Sequence, residues 1–89
     1  MRAILTVIGK DRIGIIHGVS TVLAETSVNI LDISQTIMDD MFVMIMLVDC
    51  QLSTVPFQDL SSRLDKKGDE LGVQIKIQHE EIFQSMHRI

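Results

Sequence analysis

The chain has no tryptophan and no tyrosine, and three phenylalanines bring its aromatic share to only 3%. Any core must therefore be aliphatic, built from Ile, Leu, Val and Met, and a surface that stacks bases on rings is excluded. Positive charge is also short. Eight Lys and Arg stand against twelve Asp and Glu, a net charge of −4. A nucleic-acid partner would want a basic face, so none is expected. Cys50 is the single cysteine, which rules out an intrachain disulfide and a paired-cysteine metal site such as a copper chaperone carries. It reads as a small buried apolar residue in a reducing cytoplasm. The longest apolar run, Met41 to Val48, has eight residues, where a membrane helix needs about 20. The opening residues carry no export signal, so a cytoplasmic protein is expected. His17, His79 and His87 do not fall at metal-ligand spacing, and neither a metal nor a cofactor is expected.

What is present fits one small domain. At 89 residues the chain is near the lower limit for a self-sufficient core, and a partner subunit would help it. Arg2 to Ile8 is apolar on both faces and predicts an interior strand ended by Gly9. Ile13 to Glu25 carries Ile15 or Ile16, Val19, Val22 and Leu23 at helical spacing, with Ser20, Thr21, Glu25 and Thr26 on the wet side. Gly14 and Gly18, four apart, suggest close helix–sheet packing. Asn29 to Met38 alternates as an edge strand, with Leu31, Ile33 and Ile37 on one face. Asp39-Asp40 is a hairpin turn, and Met41 to Cys50 is a second interior strand. Ser53 or Thr54 would cap a helix with Pro56 in its first turn, Phe57, Leu60, Leu64 and Leu71 on one face, and Gly72 at its end. Val73 to His79 alternates as a half-wet strand. Residues 80–89 place Ile82, Phe83, Met86 and Ile89 on one face of a short amphipathic helix.

The order β-α-β-β-α-β predicts an α+β, ferredoxin-like sandwich: a four-stranded antiparallel sheet, two helices on one face, and a short C-terminal helix. The domain proper spans 1–79, and 80–89 belongs to the same fold or to a dimer interface. The other face of the sheet stays open and apolar, which marks a partner surface.

The corner Gly9-Lys10-Asp11-Arg12-Ile13-Gly14-Ile15-Ile16 joins the first strand to the first helix. Free N–H groups at such a helix start can hold an anion, and an adjacent acid can hold an ammonium. A plainer reading fits equally well: Asp11 caps the helix and Asn29 serves a turn.

This corner, followed by Asn29-Ile30 at the second strand, resembles the ACT domain, a ligand-binding regulatory module. The chain looks most like small stand-alone bacterial ACT proteins and is similar to the ACT module of glycine-cleavage-type regulators. The resemblance runs from the first strand through the fourth. It departs at Ile13, where many members have proline. The resemblance implies a regulatory, non-enzymatic homodimer that binds an amino-acid effector where two subunits meet and signals through a regulated protein partner. It implies ligand contacts at Asp11, Arg12, Gly14, Ile15, Asn29 and Ile30. Two other functions compete with this one. A dimerising adaptor whose loop binds nothing would be favoured if Asp11 caps its own helix. An acylphosphatase-like enzyme shares the topology, but Arg12 lacks a glycine-rich anion loop and no nucleophile–base pair is readable.

Overall fold

The computed structural model describes residues 1–81. Six elements follow in chain order: β1 (Arg2–Lys10), α1 (Ile15–Glu25), β2 (Asn29–Met38), β3 (Met41–Asp49), α2 (Phe57–Leu71) and β4 (Val73–His79). The strands form one antiparallel sheet in the order β2-β3-β1-β4, the ferredoxin-like arrangement expected from the sequence. The two apolar strands, β1 and β3, lie in the middle. Glu80 and Glu81 take helical backbone, while residues 82–89 of the expected terminal helix lie outside the described residues.

The core lies between one face of the sheet and the two helices. Ala3, Leu5 and Val7 of β1 alternate inward, as do Phe42, Met44, Met46 and Val48 of β3, and Val73, Ile75 and Ile77 of β4. From the helices come Ile15, Val19, Val22, Leu23, Leu60 and Leu64. Burying each large aliphatic side chain contributes about 1.5–3 kcal/mol, so this aliphatic layer compensates for the missing aromatics.

Several local expectations are corrected. Gly9 does not end β1. It stays in the ladder between Phe42 and Val73, because an added Cβ would lie 2.6 Å from Val73 Cγ1 and only a glycine leaves that room. Gly14 forms the N-cap of α1 with φ 92°, so the helix begins at Ile15 rather than Ile13. Gly18 packs on Leu71 of α2, a helix–helix contact rather than a helix–sheet one. Thr26 is buried, not wet, because its hydroxyl donates back to the carbonyls of Val22 (2.8 Å) and Leu23 (3.2 Å). Ser53 bonds within its own turn to Val55, and Pro56 takes the N-cap position of α2.

β2 departs most from simple alternation. Its register against β3 shifts between Ile30 and Asp32, leaving Leu31 as the extra residue of a bulge. The helix pair covers β2 only near its start. Every residue from Leu31 to Met38 is exposed, including Ile33 (43%), Ile37 (56%) and Met38 (66%).

Candidate functional site

The corner after β1 is held by its backbone. The Asp11 N–H donates to the Asp40 carbonyl at 3.0 Å, which ties the loop to the β2–β3 turn. Gly14 is left-handed and exposed, and nothing lies within 4 Å of where a Cβ would stand. Its carbonyl accepts the first helical bond, from the Gly18 N–H at 2.8 Å. The N–H groups of Ile15, Ile16 and His17 therefore precede that bond and carry the positive end of the helix dipole. No side chain among the described residues caps them. Asp11, three residues before the N-cap, is thus not the cap.

Ile15 contributes to this corner through its backbone only, since its side chain is 2% exposed and lies in the core. Arg12 turns the other way. Its guanidinium lies against Gly72, at the C-terminal end of α2, where an added Cβ would be 3.0 Å from Nη1. That end of the helix carries Asp69 and Glu70 and no base in its last turn, so a cation there is favourable. The neighbourhood of Asp11 also holds Asp39 and Asp40, and Asp39 takes φ 55° as the first residue of the hairpin turn.

Asn29 and Ile30 stand at the opposite end of the sheet. β1 and β2 both run away from the Asn29 end, and α1 brings the chain back between them. Asn29 pairs with Asp49, whereas the far end of β2, Met38, pairs with Met41 and so stands level with Lys10 on the other side of β3. Nine strand steps separate Asn29 from Met38, roughly 30 Å. A single chain therefore does not bring Asp11, Arg12 and Gly14 together with Asn29 and Ile30. Ile30 is half-buried against the core, while Asn29 is exposed. The side chains of Asp11 and Asn29 make no hydrogen bond or ion pair among the described residues.

A crevice of ≈ 400 Å³ opens beside Asn29, lined by Ser27, Val28, Asp49, Gln51 and Leu52. Sequence reasoning missed it. Ser27 reaches its wall with φ 58°, and Asp49 Oδ1 accepts the Gln51 N–H at 2.9 Å while lying 3.7 Å from the N-terminal ammonium. The one available sign was Leu52, an apolar loop residue that is 78% exposed. Cys50 is buried next to this crevice. Burial pushes its thiol pKa up, the N-terminal ammonium offsets this in part, and Asp49 adds to the rise. A thiol held protonated in this way is a poor nucleophile.

Comparison with known proteins places these features in context. A family model described as "ACT domain" matches residues 2–78. A UPF0237 protein of Clostridium acetobutylicum is 61% identical over the whole of both chains. The structure of an ACT domain protein from Streptococcus pneumoniae superposes with a TM-score of 0.82 at 43% identity, covering 94% of each chain. The fold alone recurs in the regulatory subunit of aspartate kinase from Thermus thermophilus, solved in a ligand-free form. There the TM-score is 0.68 at 23% identity, covering 86% of this chain and 50% of that one.

Proposed function

Because the chain belongs to the ACT domain family, we propose that it is a regulatory module that binds an amino acid between two copies of itself. The observation that carries this reading is the split site. Asp11 and Gly14 lie at one end of β2, Asn29 and Ile30 lie at the other, and the strand between them has an outer edge that pairs with nothing among the described residues. Antiparallel pairing of β2 with the β2 of a second copy sets each Asn29 end beside the partner's Asp11 end, and a two-fold axis makes two such sites. The exposed side chains of Ile33, Ile37 and Met38 are buried in the same step, and the edge no longer invites indiscriminate pairing.

The chemistry suits a zwitterion. The free N–H groups at the start of α1 take the carboxylate. Asp11 takes the ammonium through a charge-assisted bond, and the amide of Asn29 serves either charge. Ile15 and Ile30 supply backbone and an apolar wall. Arg12, held at Gly72, shapes the loop rather than touching the ligand. Binding at a seam favours one dimer geometry over others, to the extent of the ligand's differential affinity. The signal then passes to a regulated protein partner in the cytoplasm, with no chemistry at the site. The alternative, an adaptor that binds no ligand, is disfavoured because Asp11 does not cap its helix.

A thermal-shift screen against the common amino acids tests the proposal. At a hundredfold excess over Kd, a bound effector stabilises the fold by about 2.7 kcal/mol. At least one amino acid should raise the melting temperature, and Asp11→Ala or Asn29→Ala should weaken that rise. A folded dimer that responds to none of them would leave only the adaptor reading.

A further inference from the structure

The crevice beside Asn29 has a chemistry that the zwitterion's two charged groups do not use. Its volume of ≈ 400 Å³ falls within the span of small-molecule pockets, about 300–1,000 Å³. Asn29 and Asp49 stand directly opposite each other in the β2–β3 ladder. Cross-strand neighbours of this kind leave the sheet on the same face, with Cβ atoms about 4.5–5.5 Å apart. A carboxylate thus stands a side chain's length from the amide assigned above to the ligand's charged groups. The ACT resemblance implies a contact at Asn29 but none at Ser27, Asp49, Gln51 or Leu52.

The lining is rich in acceptors. Asp49 commits one oxygen: Oδ1 accepts the Gln51 N–H at 2.9 Å and lies 3.7 Å from the N-terminal ammonium. Its Oδ2 makes no hydrogen bond or ion pair among the described residues, although the side chain is only 33% exposed. The side chains of Ser27, Asn29 and Gln51 make none there either, and each carries an oxygen that can accept. Among the described residues no basic side chain lines the crevice. Arg2, which faces Asp49 from β1, is engaged by Glu80 at 3.1 Å. Val28 and the exposed Leu52 add an apolar wall suited to methylene groups.

We propose that this crevice receives the effector's side chain, a role that rests on the shared amino-acid site above, and that this side chain donates hydrogen bonds through a hydroxyl, an amide or an ammonium. A donor reaches Asp49 Oδ2 in a charge-assisted bond. An acidic side chain meets Asp49 as a like charge, and no basic side chain in the lining offsets it. An aliphatic side chain takes water from a half-buried carboxylate and gives it no partner. Hydrogen-bonding pockets of this kind separate isosteres far better than apolar pockets separate sizes.

Calorimetric titration of the full chain with isosteric pairs tests this. Threonine is set against valine, asparagine against aspartate, glutamine against glutamate, and lysine against norleucine. In the pair that holds the tightest binder, the donor should bind at least about tenfold more tightly than its isostere. Asp49→Asn keeps an oxygen for the Gln51 N–H and removes the charge. It should weaken that donor about tenfold, because a neutral acceptor replaces a charged one. The pairs read the unmodified chain, so their outcome stands even where the variant loses its fold. An aliphatic or acidic member that matches or exceeds its donor in that pair overturns the donor preference while the shared site stands. A donor affinity that a folded Asp49→Asn leaves unchanged overturns it as well. If no amino acid binds, the shared site itself fails and the donor preference falls with it.

Discussion

Glycines separate steric from conformational demands at single residues. Alanine at Gly68 would gain about 1 kcal/mol of helix propensity, but its Cβ would stand 2.7 Å from the Val73 carbonyl oxygen, a backbone atom that cannot yield. We expect Gly68→Ala to lose about 1–3 kcal/mol net in urea unfolding. Gly18→Ala meets only the end of the flexible Leu71 side chain and should stay within about 1 kcal/mol of wild type. The apolar stripe of α2 passes through Gly68, four residues after Leu64, and so marks a close contact there from the sequence alone. It could not say that Gly18 meets a helix, because both glycines follow the same spacing and only the packing angle distinguishes their partners. Cys50 gives a pH prediction. Burial raises its pKa in the folded state, so the native thiol holds its proton more tightly than the unfolded one. That stabilising contribution is complete below the unfolded pKa, about 8.5, and is lost as pH rises through the folded value. Denaturation midpoints measured above pH 8.5 should fall less steeply for Cys50→Ala than for wild type.

Among the elements, β2 bears most on the proposed function. Its alternation was legible as an edge strand, and the turn at Asp39-Asp40 was legible from its length. The bulge at Leu31 was not, because a bulge is a property of the ladder and leaves the composition of the strand unchanged. Nor was the burial of Thr26, whose hydroxyl satisfies itself on its own helix. An inward-facing charge on an edge strand blocks pairing at little cost to the monomer. Ile33→Lys should therefore yield a folded chain that no longer pairs through β2 and whose melting temperature no amino acid raises. An unchanged ligand response in a chain shown by scattering to lack that pairing would place the site within one copy. Arg12 belongs to the same scale, its guanidinium lying against Gly72 at the end of α2. Arg12→Ala should lower stability by about 0.3–1 kcal/mol, less at high salt, as expected for a cation at a helix C-terminus.

For the whole molecule, apolar spacing and turn residues agreed along the chain and made the ferredoxin-like fold readable, while the ACT resemblance rested on the corner from Gly9 to Ile16 followed by Asn29-Ile30. The resemblance offered six candidate residues, but not their separation within one chain. Only the sheet order places Asn29 and Asp11 roughly 30 Å apart, and that separation is why the proposed site needs a second copy. Subunit mixing measures this directly. In the proposed symmetric dimer, Asp11→Ala and Asn29→Ala should each damage both sites. In a mixed dimer, one site pairs the intact Asp11 of one copy with the intact Asn29 of the other. Random reassortment makes about half the dimers mixed, each with one of its two sites whole, so about a quarter of wild-type capacity should return. Calorimetric titration of the two variants, mixed and allowed to exchange, should recover that fraction at wild-type affinity. Recovery of no binding at all, with subunit exchange verified, would contradict a site shared between copies.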